Sequence, residues 1–177
     1  MDNLDKFYSL KGHFQLMVKD ITTGKEWIHF EDKNTITYIA KRNATRMFGG
    51  SNPELRYIQK MKFTDQGYDY ANSSIYATNE NSILGVPLLY TASTLGVSYV
   101  DDFVVTNTSK VTFNVVMLTS QGNGSGSQNY SQAGLFTVDE TLEDGGLYNS
   151  GLFAIKNFAP VIKNSNLQLT FNWSIIV

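Results

Sequence analysis

Apolar and polar residues alternate through several stretches of this chain, the period-two pattern of strands with one buried face. In Gly12–Lys19 (GHFQLMVK) the apolar positions are Phe14, Leu16 and Val18. Asp20–Gly24 (DITTG) reads as a turn in which Gly24 is free to take positive φ. Lys25–Phe30 (KEWIHF) returns as the second arm of a hairpin, with Trp27 and His29 on one face and Ile28 and Phe30 on the other. Leu55–Phe63 (LRYIQKMKF) sets Leu55, Tyr57, Gln59, Met61 and Phe63 against a basic outer face of Arg56, Lys60 and Lys62. Lys110–Leu118 (KVTFNVVML) alternates Val111, Phe113, Val115 and Met117, and is expected to pair with Phe103–Val105 as a second hairpin. From Tyr130 onward two or three further strands follow. The last, Leu167–Val177, is expected to close a sheet, with Phe171 and Trp173, together with Trp27, as core anchors.

One segment departs from this period. Ile36, Ile39, Ala40, Asn43, Ala44, Met47 and Phe48 recur at helical spacing, Asn34 or Thr35 supplies an N-cap, and Gly49–Gly50 stops the run, so a short α-helix is predicted near residues 35–48. Lys41, Arg42 and Arg46 occupy its second half, where cations suit the helix dipole. Between the patterned stretches, Thr64–Ser74 reads as a polar loop. Residues 75–100 contain Gly85, Pro87 and Gly96, so strands there are expected to be short or at an edge. Gln121–Asn129 (QGNGSGSQN) reads as a flexible loop. The organisation expected is an N-terminal arm at 1–11 and a single antiparallel β-sandwich domain at 12–177, jelly-roll-like or barrel-like, with a flexible loop at 120–129.

Composition agrees with a mainly β chain. At 177 residues one domain with one good-sized core is the default. Aromatics reach 13%, with 10 Tyr and 11 Phe, and these favour strands, as do Thr, Val and Ile. A net charge of −2 provides no basic field for nucleic acid. With no cysteine, the fold is held by packing and not by disulfides or thiolate metal sites. The N-terminal MDNLDKFYSL has no apolar core of signal-peptide length, and no apolar run reaches the roughly 18 residues of a membrane helix. Synthesis and folding in the cytoplasm, with no membrane partner, are expected.

Candidate chemistry is sparse. His13 and His29 sit one in each strand of the first hairpin, and two histidines without a carboxylate on the same face fall short of a zinc site. The acidic residues Asp65, Asp69, Asp101, Asp102, Asp139, Glu140, Glu143 and Asp144 are scattered, with no signal for a facing carboxylate pair. GNGSGS lacks the lysine and the strand-to-helix setting of a phosphate-binding loop. No catalytic, cofactor-binding or metal-binding residue is therefore assigned, and a non-enzymatic protein is expected. Tyr68, Tyr70 and Tyr76 remain as a candidate interface or binding loop, since an exposed tyrosine can stack on a sugar or sit in a protein interface.

The C-terminal third carries a recognisable pattern: Gln132-Ala133-Gly134-Leu135-Phe136, then Gly151-Leu152-Phe153-Ala154, then Asn157-Phe158-Ala159-Pro160-Val161-Ile162-Lys163, then Leu167–Val177 (LQLTFNWSIIV). This resembles small virion structural proteins of tailed bacteriophages. The layout of the N-terminal half, a strand hairpin followed by NTITYIAKRNATRMFGG and YIQKMKFTDQG, is similar too, although Thr64-Asp65 stands where many relatives have the first glycine of a turn. The resemblance implies a virion component assembling as a homo-oligomer with other virion proteins at the capsid, the portal–tail junction or the tail. It brings no cofactor and no catalytic residues. The alternative function is a host-surface or glycan-binding module of such a particle.

Overall fold

The computed structural model describes residues 10–37, 40, 44, 57–66, 68–69, 74–75, 87–102, 108–137 and 151–176. Their strands are β1 (Lys11–Asp20), β2 (Glu26–Ile36), β3 (Ile58–Thr64), β4 (Tyr68–Asp69), β5 (Ser74–Ile75), β6 (Tyr90–Ala92), β7 (Gly96–Asp102), β8 (Thr108–Met117), β9 (Ser127–Thr137), β10 (Leu152–Asn164) and β11 (Leu167–Ile176). Two antiparallel sheets pack against each other as a β-sandwich. Sheet A runs β2-β1-β11-β8-β7, and sheet B runs β6-β3-β9-β10 and ends on the last residues of β2. β4 and β5 form a separate two-stranded ribbon.

β2 is the fold line between the layers. Through Asn34 it pairs with β1, and then Thr35 and Ile36 pair with Ile155 and Ala154 of β10. One strand can serve two sheets because a bulge bends it. Leu16 opposes Phe30 while Met17 opposes Ile28, leaving His29 as the extra residue. The bulge also changes which residues share a face. Trp27 and Phe30 fall on the same side, opposite Val18 and Leu16, whereas strict alternation separates them. Trp27 remains 36% exposed, with the Lys25 ammonium 5.7 Å from its ring centre. The expectation that Trp27 is a core anchor is thus corrected: it lies where β2 leaves the turn, at the rim of the sandwich.

The helix predicted from residue 35 begins later. Thr35 and Ile36 belong to β2, and the residue placed at the cap is Thr37, not Asn34 or Thr35. Thr37 Oγ1 accepts the Ala40 N–H at 3.1 Å and donates to the Leu152 carbonyl at 2.5 Å, while its N–H donates to the Phe153 carbonyl at 3.1 Å. Cross-strand demand on the backbone of 35–37 therefore overrides the local helical pattern. Ala40 and Ala44 are helical, and the other expected helix positions lie outside the described residues.

The core is aromatic and joins the layers. Phe14 of β1 stacks on Phe158 of β10 at 5.4 Å, and Phe63 of β3 meets Phe171 of β11 at 4.5 Å. Phe171 and Trp173 are fully buried, as expected of anchors, on the strand held between β1 and β8. β9 is buried on both faces from Tyr130 to Thr137. Ala133 and Leu135 join the main core, while Phe136 forms a second apolar cluster with Leu152 and Ile155. The buried amides Gln132 and Asn157 satisfy part of their need by a 2.7 Å bond to each other.

Candidate interaction surface

Two regions of weak sequence pattern take definite structure. Ser127, Gln128 and Asn129 of the expected loop belong to β9, and the segment before them makes several hydrogen bonds. Gly122, Gly124 and Gly126 take positive φ, which glycine permits at no steric cost. Asn123 Nδ2 donates to the Thr119 carbonyl at 2.6 Å, and the Tyr130 hydroxyl donates to the Gly122 carbonyl at 2.9 Å. Lys163, fully buried, donates to Asn123 Oδ1 at 2.7 Å and to the Asn164 carbonyl at 2.8 Å. Burial pushes the Lys163 ammonium pKa down, and burial together with the nearby Tyr90 pushes the Tyr130 phenol up to about 12. The glycines thus let the chain turn tightly over a buried ammonium, a partner that composition does not reveal.

The second region is the weakly patterned stretch before residue 100. Its strand β7, not Phe103–Val105, is the partner of β8, with Val97 opposite Phe113, Ser98 opposite Thr112 and Tyr99 opposite Val111. Residues 103–105 lie outside the described residues. Among the described residues β7 has one neighbour and so forms the open edge of sheet A, in keeping with the expectation of an edge strand. Its apolar side chains stand in water: Val97 is 46%, Tyr99 74% and Val100 54% exposed. Val97 and Tyr99 project on the same face as the buried Phe113, so they extend the core past the point where sheet B covers it. Between this edge and β3 lies a depression of about 420 Å³ lined by Tyr57, Ile58, Leu95, Val97, Tyr99 and Phe113. Asp101 and Asp102 end the strand, and the Ser109 hydroxyl donates to the Asp101 carboxylate.

The outer face of sheet A carries amides and hydroxyls at its centre, with Lys11 and Lys110 toward one end of the strands and Lys19 toward the other. Register places Gln15, Asn172 and Asn114 in one row and Ser174 and Thr112 in the next. Asn114 Nδ2 donates to Asn172 Oδ1 at 2.7 Å, Asn172 Nδ2 to Gln15 Oε1 at 3.3 Å, and Gln15 Nε2 to Glu31 Oε1 at 3.3 Å. Thr112 and Ser174 share a 2.8 Å bond between hydroxyls. On the β1–β2 side of these rows, His13, opposite Ser174, has its Nε2 3.2 Å from Glu31, which lies opposite Gln15. Because the amides and hydroxyls bond one another, covering them with another surface strands few polar groups.

The histidines do not meet. His13 faces Glu31, while His29, at the bulge, donates from Nε2 to the Ala159 carbonyl at 3.1 Å. Nearby, Lys156 Nζ bridges the seam between β10 and β2 by donating to Asp32 Oδ2 at 2.7 Å and to the Lys33 carbonyl at 2.6 Å. The Lys156 hydrogen bond, helped by the Lys33 N–H, holds the Asp32 pKa below its ordinary value, against a smaller opposing effect of burial. Among the described residues no three His, Cys, Asp or Glu side chains form a group able to hold a metal. Of the predicted tyrosine loop, Tyr68 lies in β4, its backbone paired with Ile75 of β5, whereas Tyr70 and Tyr76 lie outside the described residues. The exposed tyrosines that the fold does bring to one depression are Tyr57 and Tyr99. The signal for Tyr99 was the short alternation Leu95, Val97, Tyr99, masked by Gly96 and the serine-rich flank.

Comparison with protein-family models, with curated proteins and with solved structures finds no match.

Proposed function

We propose that this chain is a non-enzymatic structural component of a tailed-phage virion, working as an oligomer at the capsid, the portal–tail junction or the tail. One observation carries the reading: the outer face of sheet A has central rows of amides and hydroxyls already bonded to one another, and among the described residues the sheet ends in an open edge strand with exposed Val97, Tyr99 and Val100. Such a surface suits repeated burial against identical or different subunits, because contact over its central rows covers polar groups that already have partners. The C-terminal pattern from Gln132 to Val177, which resembles small phage virion proteins, points to the same class. Proteomics of purified particles tests the proposal. The chain is expected among the structural proteins at a fixed copy number, and its absence from particles that contain the other structural proteins refutes it.

A further inference from the structure

We infer that two copies of this chain join through β7, antiparallel across a two-fold axis centred on Ser98, so that sheet A continues from one copy into the other. This deepens the proposed function by naming the first contact of assembly. Among the described residues β7 is an uncovered edge, and an edge strand is a template for another strand. Its sequence complements itself about Ser98. With Ser98 opposite Ser98, Val97 lies opposite Tyr99 of the other copy and Tyr99 opposite Val97, two aromatic–β-branched pairs on the core side of the sheet. Gly96 then meets Val100 and offers it room. The charges choose the direction. Asp101 and Asp102 are the only charged residues of β7 and both stand at its end. Antiparallel pairing about Ser98 sends the two acidic ends apart, whereas parallel pairing lays them side by side. Centring one residue later, on Tyr99, sets Val97 against Asp101 and loses both apolar pairs. The apolar face presented is also of the right kind, since Val97 continues the row of Phe113 and Trp173, and Tyr99 that of Val111 and Ile175, beyond the cover of sheet B.

The absence of cysteine makes the test clean, because an introduced thiol is the only one present. Across the proposed axis the two Ser98 Cα atoms fall about 4.5–5.5 Å apart, within reach of a disulfide. Ser98→Cys is therefore expected to give a reductant-sensitive dimer under mild oxidation, in much higher yield than Ile162→Cys, an exposed control site on sheet B. Wild-type protein is expected to dimerise with rising concentration in sedimentation velocity. Val97→Lys with Tyr99→Lys should abolish this with an unchanged circular dichroism spectrum, because both side chains are exposed in the single copy. The inference is overturned by a wild type that stays monomeric at every concentration, by equal cross-linking of the two cysteine variants, or by a dimer that survives both lysines. The cross-link reads an otherwise native surface, so it decides the matter even if the double lysine variant misfolds. Since it uses purified protein, its failure leaves the presence of the chain in virions to be answered separately.

Discussion

Replacing Trp173 measures how much the closing strand contributes. The indole is fully buried, packs edge-on against Phe14 at 5.0 Å and stands in register between Phe14 and Phe113 on the strand that joins β1 to β8. Trp173→Ala is expected to cost about 3–5 kcal/mol, from lost apolar burial and the cavity left in a core that cannot collapse from both sides. For a domain of ordinary stability, about 5–15 kcal/mol, that is a large fraction. Trp173→Phe behaves differently. The indole Nε1 has no hydrogen-bond partner, and burying such a donor costs roughly 1–3 kcal/mol. Phenylalanine relieves that cost while giving up about 1 kcal/mol of packing, at ~24 cal/mol per Å³ of cavity. The net change is expected to stay within about 1 kcal/mol of wild type. Urea unfolding followed by circular dichroism gives both values. A Trp173→Ala loss below about 1 kcal/mol refutes the placement of β11 at the centre of sheet A, since every large core truncation of this kind costs more. A Trp173→Phe loss as great as that of alanine shows instead that the indole N–H is bonded within the core.

Asp32 ties the seam at β2, and its folded pKa lies below the ordinary aspartate value of 3.8 through the hydrogen bond from Lys156. A depressed carboxylate stabilises fully above the unfolded value and loses that contribution as pH falls through the folded one. The melting-temperature gap between wild type and Asp32→Asn should therefore narrow as pH is lowered below 3.8, and a gap independent of pH contradicts the pairing. Thr37→Val removes the hydroxyl that accepts from Ala40 and donates to Leu152, and is expected to cost about 1–2 kcal/mol in chemical denaturation. Gly122→Ala forces a side chain to φ +67° with its Cβ 2.9 Å from the Tyr130 hydroxyl, so a loss of more than about 1 kcal/mol is expected, where a flexible loop predicts almost none. Asn123→Ala leaves the buried Lys163 without its side-chain acceptor, and limited proteolysis should then cut between β8 and β9 faster than in wild type.

The sequence by itself determined the strand character of the chain, the first hairpin and the closing strand. Period-two alternation states which residues face inward wherever one face is buried, as in Phe14, Leu16 and Val18 or in Phe171 and Trp173. Only the tertiary structure decided what depends on neighbours distant in sequence. The bulge at His29 lets β2 serve two sheets and brings Trp27 to the rim, because a single extra residue shifts the alternation without leaving a compositional mark. β9 is buried on both faces, and its polar residues are matched from other strands, as Gln132 is by Asn157. The glycine-rich segment is bonded through Asn123 to Lys163, forty residues away, a contact that no local pattern encodes. The edge at β7 was foreshadowed by its glycine and its short run of alternation. Its exposure was not, because whether Tyr99 is core or surface depends on how far the opposite sheet extends, and that follows from the packing of the whole chain.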